Sequence, residues 1–175
     1  MNYNQYKAVG IDKKILLIQN VLSSSLGFTN VDYFGRVQKT LQKDSKTFIP
    51  EVHISNTERK CVYYNDSEAL GGSVFFVDDT IHKALTGNEF ETKVKIVFML
   101  NLNNLISGAN YRQDAEVQEK CLKFVKSLRI MEVTELEKGF SNVLKGFNLE
   151  AIKSSDIQPY HCFSINGIIK YNFSC

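Results

Sequence analysis

The stretch FSINGIIKYNFSC, from Phe163 to Cys175, decides the fold class: every odd position except Gly167 is apolar, and every even one except Ile168 is polar. A two-residue period sets Phe163, Ile165, Ile169, Tyr171 and Phe173 on one side of a pleat. Ser164, Asn166, Lys170, Asn172 and Ser174 fall on the other. The expectation is a strand with one buried face that runs to the final residue. Burying five such side chains is worth on the order of 10 kcal/mol before entropy is subtracted, at roughly 1.5–3 kcal/mol each.

A second strong alternation lies upstream. Between Lys93 and Asn103 the even positions Val94, Ile96, Phe98, Leu100 and Leu102 are apolar, and Val97 and Met99 make the opposite face partly apolar too, which predicts a central strand. Phe48, Val52 and Ile54 alternate with Glu51, His53 and Ser55, and Pro50 within that run predicts an edge or strand-start position where no ladder donor is required. Shorter strands are expected around Tyr33–Val37, over Cys61–Tyr64 and over Val74–Val77, the last bounded by Asp78-Asp79, with Lys43–Thr47 as a polar turn. Ile11, Ile15, Ile18, Leu22 and Leu26 share one helical face, and Gly27 stands where a left-handed cap residue belongs. A second helix is predicted from about Gln113 to Leu128, with Val117, Cys121, Phe124, Val125 and Leu128 inward. A third is predicted to begin at Thr134, which with Glu137 makes a T-x-x-E capping box, and to bury Leu136, Phe140, Val143, Leu144 and Phe147. This order predicts an α+β fold, a mainly antiparallel sheet packed against about three helices, with the C-terminal residues as a sheet strand. The whole of 1–175 is expected to be one domain, its first ten residues a flexible arm.

The totals narrow the function classes. A chain of 175 residues with 43% hydrophobic and 23% charged residues can build a core without staples. A net charge of +2, with four Arg among 21 basic residues, is the wrong bias for guanine or phosphate forks, so direct nucleic-acid binding is not expected. The longest apolar stretch, Ile15–Ile18, is far below the ~20 residues that span a bilayer, and MNYNQYKAVG has no signal-peptide core, so no membrane association and a cytoplasmic start are expected. Cys61, Cys121, Cys162 and Cys175 show neither C-x-x-C nor zinc-ligand spacing and are read as free thiols.

Chemistry is sparse. His161-Cys162 is a Cys/His adjacency, but neighbours on a strand point to opposite faces and cannot act together on one substrate. His53 in a strand and His82 in a loop lack visible partners. Asp66, Glu68, Asp78 and Asp79 form two acidic loop clusters in which a metal-dependent enzyme would have to be sought, although their spacing matches no EF-hand loop. Gly71-Gly72 belongs to no phosphate-loop motif and reads as turn glycines. No cofactor, metal or catalytic residue is expected.

Several phrases taken together resemble the tail terminator, or tail-completion and head-tail joining, proteins of long-tailed phages and prophages. They are Gly27-Phe28 after the first helix, FIPEVHI at Phe48–Ile54, KIVFMLNLNNL at Lys95–Leu105, Tyr111-Arg112-Gln113-Asp114, and QPYHCFSINGIIKYNFSC at Gln158–Cys175. The resemblance implies a small, non-enzymatic α+β virion protein, assembled in the bacterial host cytoplasm. It would form a ring, usually a hexamer, that caps the tail tube and meets the head connector. The implied partners are copies of itself, the tail tube protein and a connector or neck protein. A ring subunit needs two unlike surfaces that meet head to tail. The candidate contact loops are Asn65–Ser73, with Asn65, Asp66, Glu68, Gly71 and Gly72, and Asn104–Arg112, with Asn104, Asn110, Tyr111 and Arg112. A connector or neck protein of the same virion is the near alternative. A soluble adaptor that binds by strand addition at an exposed edge is a rival from another class, as is the metal-dependent enzyme.

Overall fold

The computed structural model of the chain describes residues 1–4, 7–42, 46–64, 70–105, 113–150, 152 and 158–173. The long apolar alternations become the middle of a six-stranded sheet. Its members are β1 (Asn2–Tyr3), β2 (Val31–Arg36), β6 (Gly72–Ala84), β7 (Glu89–Asn101), β8 (Met131–Lys138) and β9 (Tyr160–Asn172), in the order β1-β2-β6-β7-β9-β8. The two contacts at the β1–β2–β6 side are parallel and the rest antiparallel. A separate sheet contains β3 (Gln38–Leu41), β4 (Phe48–His53) and β5 (Arg59–Cys61), with β4 in the middle. The helices are α1 (Ile11–Ser25), the short α2 (Leu102–Leu105), α3 (Asp114–Leu128) and the single turn α4 (Phe140–Val143). The fold is α+β, as the alternations predict.

Each face of the large sheet carries its own core. On one side α1 and α3 cover Val94, Ile96, Phe98, Phe163, Ile165 and Ile169 with the predicted stripe Ile11, Ile15, Ile18, Leu22 and Leu26 and with Val117, Cys121 and Val125. Leu26 caps the C-terminal end of α1, its N–H donating to Leu22 O, and Gly27 follows at φ +66°, in the left-handed region. On the other side the small sheet and α4 bring Val52, Val62, Tyr63, Phe140 and Leu144 against Phe75, Val97, Met99 and Cys162. The strand β9 is therefore buried on both faces through its first half. Ser164 is fully buried and Asn166 nearly so, which corrects the expectation of one wet face. The strand also starts before Phe163 and ends at Asn172. Phe173 is half exposed, and Ser174 and Cys175 lie outside the described residues.

Five other expectations are corrected. The segment from Thr134 is not a helix: Met131–Lys138 is the edge strand β8, and Thr134 is the extra residue of a bulge between the pairs Val133↔Gly167 and Glu135↔Asn166. Its hydroxyl donates to Asn166 O at 3.2 Å instead of capping a helix. Asp78-Asp79 does not end a short strand. β6 continues to Ala84 through an irregularity between Asp78 and His82, so His82 stands in a strand and not in a loop. Pro50 sits in the middle strand of its sheet. Its carbonyl accepts from Val62 N one residue past the end of β5, so the missing N–H falls where that ladder stops. The strand expected over Cys61–Tyr64 covers Arg59–Cys61. Asn2 and Tyr3 pair with Tyr33 and Phe34, so they form a short edge strand in place of a free arm. Of the Lys43–Thr47 turn, residues 43–45 lie outside the described residues.

Gly167, the gap in the apolar alternation of β9, has a steric reason. A Cβ there would stand 2.4 Å from Glu132 O and 2.8 Å from Met131 Cγ, where the bulged edge strand crosses it. Gly167→Ala is expected to cost about 1–3 kcal/mol, the range for forcing an atom into a filled core. A urea midpoint unchanged from the native chain would show that β8 is not held this closely.

Candidate functional site

Two places concentrate polar chemistry among the described residues. The first is a chain of charges at the N-terminal end of α1. Asp12, only 4% exposed, takes a two-pronged bond from Arg36, with Nε to Oδ1 at 2.7 Å and Nη2 to Oδ2 at 3.0 Å. Arg36 Nη1 reaches Asp78 Oδ2 at 2.9 Å, and the same oxygen lies 3.2 Å from His82 Nε2. His82 Nδ1 meets the Tyr171 hydroxyl at 2.6 Å. The Asp12 hydrogen bond holds the Arg36 guanidinium charged well above its usual range against the opposing cost of burial. Burial, and then the Asp78 carboxylate, push the Tyr171 phenol above its ordinary value, so its hydroxyl stays protonated. With the imidazole neutral, that hydroxyl donates to Nδ1 and leaves Nε2–H to donate to Asp78. The chain ends beside a hollow of about 300 Å³ lined with Val9, Ile11, Phe90 and Phe173.

The second place is a cleft of about 470 Å³ on the small-sheet side. Lys95, Glu135 and Asn166 line it from the large sheet. Lys95 Nζ pairs with Glu137 Oε2 at 2.5 Å, Asn166 Nδ2 donates to Glu135 Oε1 at 3.1 Å, and Ser164 donates to Asn166 Oδ1 at 2.8 Å. Lys39 from β3, Lys93 from β7 and Lys145 after α4 line it together with Val77 and Phe147. Lys39 Nζ stands 5.8 Å from the Phe147 ring centroid.

Of the residues expected to make contacts, Asn65, Asp66, Glu68, Asn110, Tyr111 and Arg112 lie outside the described residues. Gly71, just before β6, and Gly72, its first residue, are buried. A Cβ on Gly71 would meet Thr29 O at 2.6 Å, and one on Gly72 would meet Met99 O at 2.2 Å. Asn104 is half-buried in α2 and donates from Nδ2 to Leu70 O at 2.7 Å, which brings the described ends of both loops to the same place. Asp78 is enclosed by Arg36 and His82, whereas the exposed Asp79 accepts from Thr80 N at 2.7 Å, so the two neighbours do not act as a pair. No three His, Cys, Asp or Glu side chains among the described residues are grouped to hold a metal ion. His161 faces the helices, bonding Gln118 at 2.5 Å and stacking on Phe163, while Cys162 belongs to the opposite core. His53 Nε2 lies 3.0 Å from Gln38 Nε2. Among the described cysteines, Cys61, Cys121 and Cys162 are in no disulfide, and burial pushes the Cys121 thiol up to about 12. Sequence reasoning missed the Asp12–Arg36–Asp78–His82–Tyr171 chain because its five members come from four elements. A charged Asp12 in the first turn of an apolar helix face was the available signal.

No protein-family model matches the chain, and no curated protein matches it.

Arg36→Met would leave the Asp12 carboxylate enclosed without its cation. The expected loss lies toward the low side of the roughly 3–5 kcal/mol for breaking one partner of a buried pair, because the guanidinium is partly open to water. Chemical denaturation checks this, with Lys83→Met, at the exposed pair with Glu91, expected to change stability little. A pH effect is expected at Glu137. Burial raises its carboxyl, but the hydrogen bond and charge of Lys95 with the Asn166 and Ser164 bonds outweigh that and hold it below its ordinary value. Its folded value being lower than its unfolded one, the stabilisation is full above the ordinary carboxylate range and is lost as the pH falls through the folded value. Glu137→Gln is expected to flatten the fall in stability below about pH 5, read by thermal melting across pH.

Proposed function

We propose that the chain is a non-enzymatic structural protein of a phage virion, a ring subunit that caps the tail tube and helps join it to the head. Its partners are then other copies of itself, the tube protein and a connector or neck protein, with assembly in the bacterial cytoplasm.

The observation that carries the reading is the placement of exposed apolar side chains. Val9 and Phe173, 63% and 52% exposed, flank the hollow on the helix-bearing side of the large sheet. Leu41 and Phe48, 58% and 40% exposed, face each other across the end of the β3–β4 hairpin, in the layer on the opposite side. One subunit thus offers two unlike apolar patches on different elements, the arrangement a head-to-tail ring requires. The strand phrases behind the resemblance supply the body between them. FIPEVH of the first phrase forms β4, KIVFMLN the inner half of β7, and YHCFSINGIIKYN forms β9.

Light scattering across a concentration series, with and without tail tubes, tests the ring, a hexamer being the expected closed form. Leu41→Glu with Phe48→Glu in one variant and Phe173→Glu in another are each expected to fold and to remain monomeric. Their mixture is expected to form dimers, because each retains the patch the other lost. Deletion of the gene from a phage that carries it is expected to give over-long tails. Tails of normal, uniform length would sink the terminator reading, and such tails beside unjoined heads would favour the connector.

A further inference from the structure

We draw no further inference here: the strongest candidate, the hollow of about 300 Å³ between the first turn of α1 and the ends of β7 and β9, has apolar walls that belong to the patch already proposed for ring contacts, and nothing in the structure shows what else covers it.

Discussion

The thirteen-residue ladder between β7 and β9 is the constraint on which the rest of the molecule depends. It runs in unbroken register from Glu89↔Asn172 to Asn101↔Tyr160, and both strands are inner members of the sheet. Because side chains alternate faces, this one register delivers Val94, Ile96 and Phe98 with Phe163 and Ile165 to the helices, and Val97 and Met99 with Cys162 to the other layer. Phe98 and Phe163, directly opposite, stack with centroids 4.7 Å apart. A slip of one residue would exchange the faces and put Lys95 and Asn166 among the leucines and isoleucines.

From that register the polar features take their places. Lys95 and Asn166 face one another on the small-sheet side, where Glu137 and Glu135 of the edge strand reach them. Farther along the ladder, Tyr171 projects to the helix side, within reach of His82 and so of Asp78, Arg36 and Asp12. That chain of charges ties the first turn of α1, the end of β2, the irregular stretch of β6 and the outer end of β9 to one another. It fastens the elements at the place where β2 parts from the sheet.

Periodicity was most legible where burial is one-sided or complete over many residues. α1, β7 and β9 were readable because their periods run over many residues, broken in β9 only at Gly167 and Ile168, and α3 because its stripe is regular. β8 was misread for a definite physical reason. The bulge at Thr134 turns the helix-facing spacing into Met131, Val133, Leu136, and the next apolar residues, Phe140 and Val143, belong to α4 and to the opposite core. The sum imitates a three-to-four residue period that no single helix carries. The length of β6 was hidden because Asp78 and Asp79 look like turn residues, whereas Asp78 is held inside the sheet by an arginine forty-two positions away. Long-range charge pairing leaves no local trace, so neither the buried chain nor the lysine-lined cleft could be read from spacing.

The position of β9 between β7 and β8 also governs the order in which the chain can reach its native state. Both neighbours are synthesised first, with α3 between them in sequence, and their facing edges must stay apart until the closing strand arrives. A pairing of β7 with β8 formed early would have to open again before the sheet could be completed. Such distant pairings belong to the slow end of folding rates. During that interval the exposed edges are the segments most in need of protection from neighbouring chains.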